Sequence, residues 1–178
     1  MDVFFRAAPN RAMVSIGHFE QALSTAPPVG AQIIDWDKDG EHELEIVHLC
    51  GTGSNCERTI YRVDKEKPVL RQLFHAWGAE FELIDGHLVE SERDSCCAWI
   101  ASAHKFVRSR HWVNPEVSFS VLIQAGDKDT DPSTCTFYID APDEPKTINP
   151  PSKAFLKVCD HYGTGYVVTK PTKRVMQQ

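Results

Sequence analysis

The segment that constrains this chain most strongly is Asp35-Trp36-Asp37-Lys38-Asp39-Gly40-Glu41-His42-Glu43. Its aspartates stand at alternating positions, a glycine follows at the sixth position, and a glutamate closes the segment at the ninth. A calcium ion takes about six to eight oxygen ligands at about 2.3–2.6 Å, and a flexible loop can supply them by curling around the ion. Gly40 permits the sharp turn because glycine tolerates a positive φ. The spacing therefore predicts a calcium-binding loop.

The predicted ligands are the side chains of four acidic residues and one backbone carbonyl: Asp35, Asp37, Asp39 and Glu43, with the carbonyl of Glu41. An EF-hand needs a bidentate glutamate at the twelfth position, where this chain has Ile46. The flanking segments 31–34 and 44–49 are short and rich in β-branched residues, which favours strands over helices. We therefore predict a strand–loop–strand calcium site with a structural role. The alternative is an acidic turn that binds no metal.

The pattern D-x-D-x-D-G-x-x-E between two strands resembles the calcium turn of FG-GAP and VCBS-type repeats, which occur in β-propeller blades. Segments 51–64 and 81–90 extend the resemblance, so that it covers roughly residues 29–110. Together they resemble small bacterial VCBS-like periplasmic proteins, some of which inhibit lysozyme-like cell-wall hydrolases delivered by secretion systems. The resemblance implies an immunity protein: a calcium-stabilised inhibitor that binds a cognate effector hydrolase and has no enzymatic activity of its own.

The rest of the chain predicts further strands. The clearest hairpin is 81–90, where Asp85-Gly86 suits a type I′ turn, and the clearest single strand is 117–125, where apolar and polar residues alternate. Other predicted strands are 58–64, 69–74, 97–107, 135–140 and 165–169; short helices are predicted at 15–23 and 154–162. We expect one domain over residues 1–178. Its predicted class is all-β and mainly antiparallel, as a sandwich or propeller-like blades, with one or two short peripheral helices.

The six cysteines form no C-x-x-C pair and no zinc-binding spacing, and their even number suits an oxidising compartment. Cys50 and Cys56 bracket a short loop, and we predict a disulfide between them. A bond between the neighbours Cys96 and Cys97 would be strained, so each is expected to bond to a separate partner. The alternative is a cytosolic protein whose six cysteines are all reduced.

The N-terminal residues lack the basic region and apolar core of a signal peptide, and no apolar run approaches the length of about 18 residues that a membrane helix needs. Together with the cysteines and the calcium loop, this predicts a periplasmic protein in its mature form, carrying an added methionine. The net charge of −6 argues against nucleic acid and anionic membranes as partners and favours a basic protein partner.

The sequence contains no G-x-S-x-G, S-x-x-K or H-E-x-x-H motif, which favours a binding protein over an enzyme. The eight histidines are scattered singly, and we expect each to be packed or on the surface rather than to bind a metal.

A second acidic series, Asp127, Asp129 and Asp131, has Pro132 where a turn glycine would be needed. We predict a solvated loop there, with a weak second metal site as the alternative, and an exposed acidic loop of this kind can reach into a cationic cleft of a partner. The four tryptophans, Trp36, Trp77, Trp99 and Trp112, are expected in the core. If they are instead exposed, they favour the alternative function of a calcium-dependent carbohydrate- or surface-binding module.

Overall fold

The structure is a computed structural model, and it describes residues 3–8, 11–16, 19–24, 28–51, 54–63, 69–106, 116–141 and 144–171, the first three ranges by their backbone alone. The chain divides into two compact units, one of residues 1–79 with 107–115 and the other of residues 80–106 with 116–178. The predicted single domain over residues 1–178 stays a prediction.

The first unit begins with a three-stranded antiparallel sheet of strands β1 (Val3–Ala8), β2 (Arg11–Ile16) and β3 (Phe19–Ser24). The helix predicted at 15–23 is therefore wrong, because β2 and β3 pair with Ile16 opposite Phe19. Short apolar runs fit a helical and an extended period almost equally well. A helix of this length gains little stability on its own, whereas the backbone here finds its hydrogen bonds in the neighbouring strands.

The same unit contains a four-stranded antiparallel sheet of β4 (Gly30–Ile34), β5 (Glu43–Cys50), β6 (Cys56–Val63) and β7 (Leu70–Gly78), in that order. Four antiparallel strands in sequence are also the content of a propeller blade. Strands β4 and β5 flank the acidic loop, which confirms the predicted strand–loop–strand arrangement. The turn predicted at 65–68 lies outside the described residues.

The second unit is built on a seven-stranded sheet. Its strands are β8 (Glu80–Ile84), β9 (His87–Arg93), β10 (Ala98–Lys105), β11 (Val117–Gln124), β12 (Ser133–Ile139), β13 (Lys146–Thr147) and β14 (Tyr166–Val168). Strands β8 to β13 pair antiparallel in sequence order, and β14 pairs parallel to β12. The hairpin predicted at 81–90 is confirmed, since Asp85 and Gly86 have φ values of 46° and 74°, the positive values that a type I′ turn requires.

The core of the second unit lies on one face of this sheet, where β11 and β12 contribute Phe119, Val121 and Phe137. A 3-10 turn (Lys153–Phe155) continues into helix α1 (Leu156–Cys159), and buried Phe155 meets Phe119 edge to face with ring centroids 4.9 Å apart. The predicted second helix is thus present but shorter, and the all-β fold class is confirmed. In the described part of the chain, no helix has the length and apolar character needed to cross a membrane.

Each of the two units contains one disulfide. Cys50 and Cys56 stand opposite each other on β5 and β6 and are bonded, as predicted. A second disulfide joins Cys135 on β12 to Cys159 on α1, and both of its cysteines are buried. Cys96 and Cys97 are free, exposed thiols. The prediction that they bond to separate partners is therefore wrong within this chain, because the other four cysteines pair with each other.

Candidate metal centre

The acidic loop is curled by hydrogen bonds from its own backbone to its aspartates. The Asp35 carboxylate accepts the N–H of Asp39 at 3.1 Å and that of Gly40 at 3.0 Å, and Asp39 accepts the N–H of Glu41 at 2.8 Å. Gly40 has a φ of 87°, so the turn uses glycine's tolerance of positive φ as the sequence predicts. Lys38 also adopts a positive φ, of 57°, which is uncommon for a residue other than glycine.

The curl brings Asp35, Asp37 and Asp39 together, with one carboxylate oxygen of each lying within 4.8 Å of the other two. Two ligands on opposite sides of a calcium ion stand about 4.6–5.2 Å apart, twice the usual calcium–oxygen distance. The three oxygens therefore fit the coordination sphere of one calcium-sized ion. Among the residues that the structure describes, no other group of acidic, histidine or cysteine side chains has metal-ligand spacing.

Glu43, the last predicted ligand, is fully buried and bonded within the protein. Its Oε2 accepts the backbone N–H of Trp36 at 2.9 Å, and its Oε1 accepts Nε–H of Arg62 at 2.7 Å. Burial raises the pKa of Glu43, and the bonds from Trp36 and Arg62 oppose that rise. Glu43 thus fastens the start of the loop, at Trp36, to the start of β5. Its role as a ligand, and that of the Glu41 carbonyl, stay predictions.

Arg62 is the residue of this site that the sequence analysis missed. It stands opposite Glu43 in the β5–β6 register, and its guanidinium lies 3.0 Å from Asp37 Oδ2 and 3.5 Å from Asp39 Oδ2. Burial lowers the pKa of Arg62, and the bonds to Asp37 and Glu43 outweigh that effect and raise it. Arg62 contacts three of the four carboxylates of this segment, those of Asp37, Asp39 and Glu43. Four carboxylates against one guanidinium leave an excess of three negative charges, which suits a divalent cation.

A second buried ion pair continues the charged face of β5. Glu45 is only 5% exposed, and its carboxylate lies 2.7 Å from Nη1 of Arg58 and also accepts a hydrogen bond from the Gln32 amide. Glu43 and Glu45 share this face, since alternate residues of a strand point the same way. Leu44 and Ile46 occupy the other face and pack with Tyr61. One side of β5 is thus apolar, and the other is a buried, ion-paired surface.

A polar chain crosses the same sheet further along. The Thr59 hydroxyl lies 2.8 Å from His48 Nε2 and 2.8 Å from His75 Nδ1, and His75 Nε2 lies 3.3 Å from Glu57 Oε1. Burial lowers the pKa of His48. Sequence analysis treated these histidines as isolated, because only strand pairing brings them together.

The series of carboxylate, imidazole and hydroxyl resembles the arrangement that activates a nucleophile. Thr59 is only 1% exposed, however, so its hydroxyl has no access to a substrate. The hydroxyl can donate to one histidine while accepting from the other, and this satisfies all three groups with neutral rings. This series of hydrogen-bonded side chains therefore serves to satisfy buried polar groups within the sheet.

The second acidic series does not form a comparable cluster. Asp127 and Asp129 are exposed in the loop between β11 and β12, as the sequence predicts for a solvated loop. The backbone N–H of Asp131 donates to the carbonyl of Lys128 at 2.9 Å, and the three carboxylates do not form a group with metal-ligand spacing. Their part in partner binding stays a prediction.

The tryptophans divide between core and surface. Trp99 packs against the core of the second unit, and Trp36 is half-buried in the acidic loop. Trp77 is 40% exposed, against the expectation that it belongs to the core. Trp112 lies outside the described residues.

No protein-family model, curated protein or solved structure matches this chain. The functional evidence therefore comes from the residues of the chain themselves.

We expect Arg62→Met to lower the free energy of unfolding by about 3–5 kcal/mol at pH 7, because Glu43 and Asp37 would lose the charge that compensates their burial. The pKa of Glu43, already raised, should rise further without Arg62. When the pKa of a carboxyl is higher in the folded than in the unfolded protein, protonation of that carboxyl favours the folded state. The loss in free energy of unfolding caused by Arg62→Met should therefore shrink as pH falls from about 7 toward 4.5. Urea denaturation across this pH range measures it.

The matched control is Lys105→Met, which removes an exposed strand cation and should change stability by less than about 0.5 kcal/mol. A deficit for Arg62→Met that stays constant with pH would contradict the assignment to Glu43 and Asp37.

We expect Thr59→Val to destabilise the protein by about 1–3 kcal/mol, because it preserves shape but leaves His48 and His75 without their shared hydroxyl. Thr134→Val, on the exposed side of β12, is the control and should be nearly neutral. Denaturation midpoints compare the two variants. Equal effects would show that the polar chain contributes nothing to stability.

Proposed function

We propose that this protein is a calcium-stabilised periplasmic immunity protein, which binds and blocks a secreted antibacterial effector, a cell-wall hydrolase. The observation that carries the calcium part is the convergence of Asp35, Asp37 and Asp39 within 4.8 Å. The effector part rests on the resemblance of this loop and its flanking strands to VCBS-type inhibitors. The proposal assigns no catalytic residue to this chain.

The cysteines support an exported protein. The disulfides Cys50–Cys56 and Cys135–Cys159 are compatible with an extracellular or periplasmic location, because such bonds persist in oxidising compartments. Within that range we propose the periplasm, where an inhibitor meets an incoming cell-wall hydrolase before the enzyme reaches its substrate.

Calcium acts structurally in this proposal. The ion binds the folded loop and not the unfolded chain, so its binding free energy adds to the stability of the fold. Arg62 holds the inner side of the loop through Asp37 and Glu43, and the ion neutralises the charge that remains on the three aspartates. The loop then keeps β4 and β5 at a fixed spacing.

Inhibition works by occlusion, with acidic loops meeting the positive lining of a substrate cleft. The net charge of −6 and exposed Asp127 and Asp129 suit a basic target, and complementary charge accelerates association and selects the partner.

The calcium proposal is tested by the melting temperature in metal-free buffer before and after adding calcium. At a free calcium concentration of about 100 times Kd, the gain is about 2.7 kcal/mol, or roughly 5–10 °C for a chain of this size. Asp35→Asn should reduce this gain, since it removes a charged ligand and keeps only one of the two oxygens that accept the N–H groups of Asp39 and Gly40. Asp127→Asn should leave the gain intact. A melting temperature that neither calcium nor a chelator changes would refute a structural ion.

The inhibitor proposal predicts that the adjacent gene encodes a hydrolase, and it is tested by measuring peptidoglycan hydrolysis by that gene's product with and without the protein. We expect loss of hydrolysis at equimolar protein, and slower association when Asp127, Asp129 and Asp131 are replaced together by asparagine. The control replaces exposed acidic residues elsewhere: Glu80→Gln, Glu116→Gln and Asp140→Asn. Hydrolysis that continues at full rate in excess protein rejects inhibition.

A specific observation also favours the second candidate, a calcium-dependent carbohydrate- or surface-binding module. Leu49, Glu57 and Trp77 stand side by side across β5, β6 and β7, and Leu49 and Trp77 are 56% and 40% exposed. An exposed aromatic ring beside a carboxylate can stack on a sugar and accept its hydroxyl hydrogens. A glycan array with and without calcium, using wild type and Trp77→Ala, separates this candidate from the first.

A further inference from the structure

The loop between β9 and β10 presents two adjacent thiols on a fixed backbone. Residues 93–97 are all exposed. The guanidinium of Arg93 donates to the backbone carbonyls of Ser95 at 2.9 Å and Cys96 at 3.1 Å. The backbone N–H of Asp94 donates to the carbonyl of Ala98 at 3.0 Å. The carbonyl of Cys97 accepts the N–H of Ala125 at 2.8 Å, which ties the loop to the end of β11. The thiols are thus open to solvent while the backbone that carries them is held.

The two thiols face each other. The thiol of Cys97 is hydrogen-bonded to that of Cys96, and this bond raises the pKa of Cys97. Side chains of adjacent residues frequently diverge, so this contact is a property of the loop conformation.

No other cysteine competes for these thiols within the chain. Cys50 is bonded to Cys56 and Cys135 to Cys159, so each thiol of the pair has only its neighbour as an intramolecular partner. Adjacent Cα atoms are about 3.8 Å apart across a trans peptide, whereas disulfides usually span about 4.4–6.8 Å. A bond between neighbours is therefore strained and easily reduced again, which is the behaviour of a catalytic or regulatory disulfide rather than a structural one.

We propose that Cys96 and Cys97 form a thiol–disulfide exchange site that takes an accessible disulfide of the glutathione type as its substrate. One cysteine thiolate attacks a sulfur of the substrate, forming a mixed disulfide and expelling one substrate thiolate. The neighbouring thiolate then attacks the cysteine sulfur of the mixed disulfide, closing the Cys96–Cys97 bond and expelling the second substrate thiolate. Two electrons pass from the dithiol to the substrate, and the two cysteine protons end on the released thiols.

The reaction should accelerate as pH rises above neutrality. The thiolate is the nucleophile. The hydrogen bond to Cys96 raises the pKa of Cys97, the charge of Arg93 acts against that rise, and the Tyr162 phenol also lies near the pair. The strain in the product also favours the reverse reaction, its reduction by an excess of small thiol.

The test equilibrates the full chain with mixtures of oxidised and reduced glutathione and maps the cysteines by proteolysis and mass spectrometry. We expect the peptide containing both cysteines to lose two hydrogens in a monomeric protein, reversibly and at ratios where Cys135–Cys159 stays oxidised. Cys96→Ser and Cys97→Ser should each stop at a glutathione adduct on the remaining cysteine, and the double variant should not react. Thermal melting verifies that the variants fold.

Three results would overturn the proposal: a stable glutathione adduct on the wild-type pair, a disulfide-linked dimer through these cysteines, or thiols that stay reduced at every glutathione ratio. The first two would show that the neighbours prefer separate partners, and the third that the loop prevents the bond.

Discussion

The acidic loop and the four-stranded sheet of the first unit depend on one interaction, the insertion of the Arg62 guanidinium among the carboxylates of Glu43, Asp37 and Asp39. A carboxylate as buried as Glu43 is stable only when hydrogen-bonded and paired with a positive charge. Arg62 fulfils both needs because its planar group donates several hydrogen bonds in fixed directions. It joins the acidic loop, β5 and β6, so the conformation of the loop and the pairing of the two strands are coupled.

This coupling also specifies the register of the sheet. Along β5, Glu43 and Glu45 alternate with Leu44 and Ile46, and both sets are buried. A slip of one residue would turn the glutamates into the apolar cluster and the leucine and isoleucine onto the guanidinium groups of Arg58 and Arg62. In most half-buried strands only the apolar face resists such a slip, whereas here both faces do.

The second unit is stabilised differently. Its core is apolar and aromatic, and a buried disulfide between Cys135 and Cys159 attaches the short helix to β12. The same unit displays the unbonded pair Cys96 and Cys97 on its surface. The four cysteines thus divide by burial: the inaccessible pair is suited to permanent structure, and the accessible pair to exchange chemistry.

The local features of this protein could be read from its sequence. The alternation of apolar and polar residues predicted most strands, and Asp85-Gly86 predicted the turn of its hairpin. The short spacing of Cys50 and Cys56 predicted the disulfide between them. The acidic loop at residues 35–43 could be proposed as a metal site because its candidate ligands are neighbours in sequence. Only the tertiary structure assigned the partners of these features. Arg62 lies 19 residues from Glu43, Thr59 lies 11 and 16 residues from its two histidines, and Cys159 lies 24 residues from Cys135. The error at residues 15–23 has the same origin, because strand pairing there outweighed a helical period. Spacing along the chain determines what a short segment can form, whereas strand register determines which distant charge, hydroxyl or sulfur meets it.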